Sequence, residues 1–419
     1  MIRQTLALRN YRLYVIGNMS SNVGMWAQRV AIGWLTWELT HSTAWLGIMS
    51  VAESGPTIAL GVFAGTVVDR VDQFKLLRMT QFFSMIYSIA LAAFTLSGVI
   101  NIWLLMTLVL LRGIVVAFNR PTRMTVVYGL VGRDLLPSAL AMNAMIFNSS
   151  RFLGPAIGGA IIAGFGTGWT FVAAAALFFV FTLSLRSMDV AEIALEPPPL
   201  IKRSMWTETL AGVRYIMLHG GIRMQLAILI VTSIFAKPLS DLLPGFAAEV
   251  FGRGSSGLAM LLSFHGAGAM LGATWMSARG ELRGLTRISL ANILLMALAL
   301  TLFVATDQFW FACPMAGLIG FAFIVQSVSN QTLIQSAIES SFRGRVMSIY
   351  GMINQGVPSI GTMAIGAAAE RYGLRWPVLI GAVLTASLFL WAWRIRKPMA
   401  AALEEADAPV TAGPGPERL

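Results

Sequence analysis

The feature that most constrains this chain is its repetition of apolar stretches of membrane length. A helix that crosses a bilayer needs about 20 mostly apolar residues. Such runs occur at about 12–38, 43–68, 76–98, 102–124, 137–163 and 168–186. After a gap they resume at about 221–249, 255–279, 285–305, 308–336, 343–369 and 374–395. Composition agrees: hydrophobic residues are 57% of the chain and charged residues only 12%, against about 25% charged in a soluble domain. The mean hydropathy is +0.73. A series of soluble domains is excluded. The predicted fold is an all-α integral membrane protein with twelve transmembrane helices in two pseudo-symmetric six-helix bundles.

A net charge of +11 would suggest a nucleic-acid partner in a soluble protein. Here the placement of the 30 Lys and Arg residues gives another reason for it. With the N-terminus on the cytoplasmic side, 22 of them fall in cytoplasmic segments and 3 (Arg253, Arg371, Arg375) on the opposite side. That asymmetry is the positive-inside signal. It predicts both termini in the cytoplasm and no nucleic-acid partner. The basic start, MIRQTLALRNYRLY, has no small-residue cleavage site before the first apolar run, so that run is expected to be a retained helix. One cysteine, Cys313, and three histidines leave no disulfide framework and no metal site to expect. No H-E-x-x-H, G-x-S-x-G or Walker pattern occurs, so no enzyme, no cofactor and no ATP drive is expected.

The chain divides into a first bundle over 1–190, a linker over 191–220, a second bundle over 221–397 and a tail over 398–419. Pro197, Pro198 and Pro199 mark the linker as extended. It ends in RSMWTETLAGVRYIMLH, where Trp206, Leu210, Val213 and Met217 share one helical face. This segment is either an interfacial helix or an extension of the seventh span. The tail, rich in Ala, Glu and Pro, is expected to be disordered. A shift of 203 residues lays Phe147 on Tyr350, Pro155 on Pro358 and Gly158 on Gly361. Two repeated bundles with a midplane site between them form a transporter plan. GAGAMLG at 266–272 lies inside an apolar span with no preceding strand, so close helix packing is expected there, not a dinucleotide loop.

The loop after the second span, GTVVDRVDQFK, resembles the G-x-L-x-D-R-x-G-R-K signature of the major facilitator superfamily through Gly65, Asp69, Arg70 and Lys75. Asp72 stands where that pattern has Gly. In the fifth span, RFLGPAIGG is similar to the antiporter signature of drug-exporting members through Gly154, Pro155, Gly158 and Gly159. WELTHSTAWLGIMSVAESGP, LVGRDLLPSALAMNAM and RGRVMSIYGM resemble the branch that holds the enterobactin exporter and macrolide efflux proteins, which are transmembrane secretion effector-like. The resemblance covers about residues 9–395. It implies a bacterial inner-membrane, multi-pass, monomeric secondary transporter moving a small molecule by alternating access. It also implies a cytoplasmic gate in which Asp69 faces the start of the eleventh span near Arg343 and Arg345, where free helix N–H groups attract an anion. The alternative reading of that loop is an ordinary solvated juxtamembrane turn.

Ionisable residues inside spans are costly and therefore functional candidates. Counted from the non-cytoplasmic ends, Arg29, Glu53, Arg112 and Arg151 lie nine, ten, ten and twelve residues in, a common depth of roughly 14–18 Å. In the second half, Lys237 and Asp241 stand at i, i+4 beside Pro238, and His265 lies ten residues into its span. In-span cations (Arg29, Arg112, Arg120, Arg151, Lys237) exceed anions (Glu53, Asp241) by three. An unpaired buried charge needs water or an anionic partner. Glu53 is expected to pair with Arg29 or Arg112 and to titrate. Arg112, Asp241 and His265 are further proton-coupling candidates. Arg29, Glu53, Arg112, Arg151 and Lys237 are the candidate substrate cavity, suited to an anionic or catechol-like amphiphile. The structural alternative is a set of ion pairs that hold helices together, Lys237–Asp241 first among them, and Arg120 is expected to snorkel to the cytoplasm. The function this supports is proton-coupled export of a siderophore or drug. Uptake, or lysophospholipid flipping, on the same fold is the second reading. A non-transporting scaffold or sensor is the third.

Overall fold

The computed structural model describes residues 2–68, 70–189, 205–339 and 341–404. A short helix, α1 (Ile2–Ala7), leads into α2 (Arg9–Thr40), α3 (Thr43–Val68), α4 (Gln73–Leu96), α5 (Ile102–Phe165) and α6 (Thr167–Arg186). α5 carries two spans. Gly132, at φ 70 and ψ −179, breaks its path in a conformation open only to glycine, and Pro137 follows within two turns. The second half runs α7 (Met205–Leu218), α8 (Gly220–Phe235), α9 (Leu239–Gly245), a π-helical turn (Phe246–Val250), α10 (Gly254–Arg279), α11 (Leu285–Ala305), α12 (Phe309–Ala337), α13 (Arg343–Tyr372), α14 (Arg375–Arg394) and α15 (Arg396–Glu404).

Each apolar run found in the sequence is a helix or an arm of one, except the seventh, which is divided into α8, α9 and the π-helical turn. Among the described residues, eight are long and apolar enough to cross a membrane by length and composition alone. The other four spans are α2, α3, the second arm of α5 and α13. These four lie along the seam between the halves, where protein rather than lipid covers part of their surface. α3 packs against α13, the second arm of α5 against α10, and α9 against both α2 and α3.

The repeat is visible in how equivalent glycines are used. A Cβ on Gly158 would lie 2.9 Å from the Ala27 Cα of α2, and one on Gly361 would lie 2.7 Å from the Ile234 Cα of α8 and closer still to its carbonyl oxygen. The two positions 203 residues apart thus let the fifth and eleventh spans approach the first span of their own half. Gly154 meets Trp26 and Val23 of α2 in the same way, while Gly159 is pressed against Ala259 of α10 in the other half. Pro155 sits inside the helix between them. The GAGAMLG run is also a packing surface: Gly268 and Gly272 face the backbones of Gly317 and Phe321 on α12.

The apolar cores show which face of the molecule is shut. The face bearing the start of α2 and the end of α14 is here the terminal face, the opposite one the far face. Toward the far face, one cluster joins both halves, including Trp34, Leu46, Phe171, Leu243, Phe303 and Val378. Toward the terminal face the core divides. One cluster lies in the first half (Tyr11, Phe74, Val126, Phe181) and a separate one in the second (Leu229, Leu290, Leu333, Val346). The halves are therefore fused at the far face and have their own cores at the other.

One open alternative is decided here and one expectation changes. α7 is a separate helix, not an extension of the seventh span: the chain turns at His219, whose Nδ1 accepts from the Ile222 N–H at 3.3 Å. Leu210, Val213 and Met217 are exposed along one side, while Gly212 packs on Arg345 and Ile349 of α13. The linker before Met205, with its three prolines, lies outside the described residues, as does the side chain of Trp206. The start of the tail is ordered rather than disordered. α15 buries Met399 and Leu403, and Glu404 accepts from the Gly284 and Thr286 N–H groups at 2.6 Å, capping the start of α11. Residues 405–419 lie outside the described residues.

The glycine packing predicts a matched pair of effects. Gly158→Ala and Gly361→Ala should each lower the Tm of the detergent-solubilised protein, because overpacking against backbone costs about 1–3 kcal/mol. Gly61→Ala, where nothing lies within 4 Å, should leave it unchanged or raise it. A thermal melt by tryptophan fluorescence reads all three, and equal Tm values would contradict the packing argument.

Candidate functional site

The candidate site is built where the seam crosses the middle of the molecule. α2 and α3 are joined by a tight turn at the far face, so residues equally far from that turn meet. Arg29 and Glu53 do so, Nε to Oε2 at 3.5 Å. α5 also starts at the far face, and Arg112 reaches the same carboxylate, Nη1 to Oε1 at 2.5 Å. Glu53 thus binds both of its candidate partners. Close packing of α5 on α3 supports this pair: Gly113 lies directly against Pro56 and the Glu53 carbonyl.

Arg29 then crosses to the other half. Its Nη2 lies 3.3 Å from Asp241 Oδ1. Asp241 Oδ2 accepts from Ser50 of α3 at 2.9 Å and from Thr362 of α13 at 3.1 Å. The carboxylate of α9 therefore joins α2, α3 and α13. The Lys237–Asp241 pair suggested by i, i+4 spacing does not form. Residues 236–238 lie between α8 and α9, so the helical phase that would align the two side chains is lost. Lys237 Nζ instead donates to Asn354 Oδ1 of α13 at 2.9 Å.

A second group of charges gathers on aromatic rings. The Arg151 guanidinium lies 4.2 Å from the Phe323 centroid and 5.5 Å from that of Trp26. Lys237 Nζ lies 5.4 Å from Phe323, and the His265 ring is tilted against Phe323 at 6.4 Å. Arg29 borders the other group and this one, at 5.6 Å from Trp26. Among the described residues, neither Arg151 nor Lys237 has a carboxylate within 4.0 Å. Cation–π contact is attractive, about 0.5–2 kcal/mol, and leaves the positive charge uncompensated.

The in-span charges therefore fall into two sets. Arg29, Arg112, Glu53 and Asp241 balance two against two. The surplus of three is carried by Arg151, Lys237 and Arg120. Arg120 is not directed to the terminal face alone. In the amide orientation that satisfies both groups, Gln355 Oε1 of α13 accepts from its Nη1 at 2.8 Å. Of the four proton-coupling candidates, Glu53, Arg112 and Asp241 share one network, and His265 sits in the other set. Side-chain exposure is 40% for Arg29, 21% for Glu53 and 22% for Asp241, so the network is open to the space between the halves.

The other sequence candidates are scattered. Asp69, the acid of the proposed gate, lies outside the described residues. Gly65 falls within α3, and Arg70, Lys75 and Arg343 are exposed at the terminal face. Asp72, the departure from the signature, caps α4 by accepting from the Lys75 N–H at 2.9 Å. Arg345 lies on Phe342, guanidinium to ring at 5.3 Å. Arg123, counted with the cytoplasmic charges, is turned into the first bundle. It donates to Asn18 at 2.7 Å and Ser21 at 2.8 Å, and it rests on Phe181. Residues that sequence reasoning missed are Ser50, Thr362, Asn354, Trp26 and Phe323. The first three are short polar side chains of a kind common in any span, and the two rings look like ordinary core.

Comparison with known proteins places this geometry. The family model described as "Transmembrane secretion effector" matches residues 4–414. The chain belongs to that family of the major facilitator superfamily. It is 24% identical over 387 residues to the Staphyloferrin A transporter of Staphylococcus aureus (strain NCTC 8325 / PS 47), covering 92% of this chain and 96% of the relative. It is 25% identical over 392 residues to the Enterobactin exporter EntS of Escherichia coli O1:K1 / APEC, covering 89% and 90%. In fold it is similar to the peptide transporter POT in complex with sulfate, with TM-score 0.72, 13% identity, 96% of this chain and 99% of that one. It is also similar to a bacterial homolog of the human lysosomal transporter Spinster in an inward-facing, unoccupied conformation, with TM-score 0.70, 13% identity, 95% and 98%. The protein is a multi-pass membrane transporter, not an enzyme.

The charge assignment can be checked by double-mutant cycles. Arg29→Gln with Asp241→Asn should show a coupling of roughly 1 kcal/mol in denaturation of the reconstituted protein, whereas Lys237→Met with Asp241→Asn should show none. Coupling in the second cycle and not the first would restore the local pair.

Proposed function

We propose that this transporter is a proton-coupled exporter of a small anionic amphiphile, of the siderophore or drug class, working by alternating access in a bacterial inner membrane with both termini in the cytoplasm. The observation that carries this reading is the division of the midplane charges into a neutral network and an acid-free cationic group. Protonation of one of its two carboxylates leaves this network with one arginine charge in excess, a cost that drives it to rearrange and admit water. Protonation of Glu53 or Asp241 would weaken the bond to Arg29 that joins the halves. An acid-free pair, Arg151 and Lys237, is where a ligand with anionic oxygens recovers the cost of leaving water. Phe323 and Trp26 beside them offer apolar surface to the rest of such a ligand.

The relatives' printed names, a staphyloferrin A transporter and an enterobactin exporter, support small-molecule transport of this kind. Export is favoured by the second of these and by the Gly154–Gly159 signature. The orientation rests on the 22 to 3 sequence distribution of basic residues, which stays strongly one-sided with Arg123 set aside. The antiporter-type glycines serve close approach of α5 to α2 and α10, which gives them a packing role in the same cycle.

Two measurements test the reading. In proteoliposomes, Glu53→Gln should abolish proton-driven uptake into inside-out vesicles while leaving exchange of substrate for substrate. Full retention of proton drive removes Glu53 from the coupling. In a screen of anionic, neutral and cationic amphiphiles, anions should be carried best, and Arg151→Ala with Lys237→Ala should cost them about tenfold or more in kcat/KM, as for loss of a charge-assisted contact. Transport of cations alone would contradict the charge argument.

A further inference from the structure

α3 and α13 run antiparallel along the seam, and their contact reaches the far face. There Glu370 stands in the last turn of α13. A carboxylate at that end opposes the dipole of its own helix. It is directed instead to the opposite half, where α3 begins. Its Oε2 accepts from Ser42 Oγ at 2.9 Å, from the Ala44 N–H at 3.2 Å, and lies 3.3 Å from Thr43 Oγ1. The Thr43 hydroxyl has a second acceptor within reach, the Gly366 carbonyl at 2.8 Å. The first N–H groups of a helix have no partner within it. In α3 two sources contribute: Ser42 Oγ of the same turn accepts from the Trp45 N–H at 3.3 Å, and Glu370 of the other half accepts from the Ala44 N–H.

Packing below this contact is tight enough to make it specific. A Cβ on Gly47 would lie 2.5 Å from Met363 Cα, and Gly366 leaves no room for one beneath the Thr43 carbonyl. Further in, Ser54 and Ser359 are joined at 2.6 Å. The other ionisable neighbours are Arg371, the next residue of α13, and His41, the residue before Ser42, whose ring lies on Trp37 at 6.0 Å. Among the described residues Glu370 has no cation within 4.0 Å. Its partners are the hydroxyls and N–H groups of the α3 start.

Glu370 and the start of α3 belong to opposite halves, so parting the halves at the far face would break this contact. When α13 leaves α3, the carboxylate returns to water and the first turn of α3 loses a cap. A contact present in one state and absent in the other biases the equilibrium between them. We propose that Glu370 is the latch of the far-face gate, a positioning residue that sets how much of the transporter is closed on that side. That the far face is the outer one rests on the orientation proposed above.

The experiment uses the full-length protein in vesicles of known sidedness, with Cys313→Ala and a reporter, Gly55→Cys. Gly55 lies on α3 with nothing within 4 Å of a Cβ. The ratio of labelling by a membrane-impermeant maleimide from the far face to that from the terminal face is measured. Glu370→Ala should raise the ratio about tenfold, as for loss of hydrogen bonds to a charged group. Glu370→Gln and Ser42→Ala should raise it less, and Arg371→Ala should leave it unchanged. If Glu370→Ala does not fold, the two milder variants carry the test. An unchanged ratio in every folded Glu370 and Ser42 variant overturns the latch, as does an equal rise in Arg371→Ala. The vesicle side on which the reporter reacts before any further substitution reports orientation, so failure of the orientation and failure of the latch give different results.

Discussion

The structure depends on one arginine that answers to two halves. Arg29 lies against Glu53 in its own bundle and Asp241 in the other. A cation at this depth is costly unless paired, and a second arginine, Arg112, already holds Glu53. Arg29 is therefore satisfied in full only when α9 is brought up to α2 and α3. The same position lets Asp241 collect hydroxyls from Ser50 and Thr362. Electrostatic need and closure of the far face are one arrangement. The apolar core follows it, common to both halves on the far side and divided on the other.

Setting the neutral four-charge network apart clarifies the remaining charges. Arg151 and Lys237 are held by rings and an amide, not by acids. Packing alone does not require cations there, since Phe323 and Trp26 would make an ordinary apolar contact without them. The +11 of the chain thus has separate parts: a basic terminal face, arginines such as Arg123 that bind neutral groups inside a bundle, and a small unpaired set at the seam.

Much of this was legible in the sequence. Among the described residues, eight of the twelve spans follow from length and apolarity by themselves, and the repeat follows from Pro155 and Pro358 with their neighbouring glycines. The common level of Arg29, Glu53 and Arg112 follows from counting inward from helix ends, because the rise per residue is fixed. The partner of Asp241 was not legible. Its i, i+4 relation to Lys237 assumes an unbroken helix, and the break before Leu239 removes that phase. Arg123 lay close enough to a span boundary to be counted outside. The order in α15 was masked by its Ala- and Glu-rich composition, although Met399 and Leu403 stand at i, i+4. The sign that Glu370 faces another helix was present: an acid in the last turn of a helix is misplaced for its own dipole.

The central claim is that the Arg29 bridge holds the halves together at the far face. Pulsed-EPR distances between spin labels at Val99 and Trp376, both exposed at far-face helix ends of opposite halves, test it most directly in a Cys313→Ala background. Replacing Arg29 by Gln should add a longer-distance population to the distribution. Superimposable distributions for the two folded proteins would show that the far face is closed by packing alone and would contradict the account.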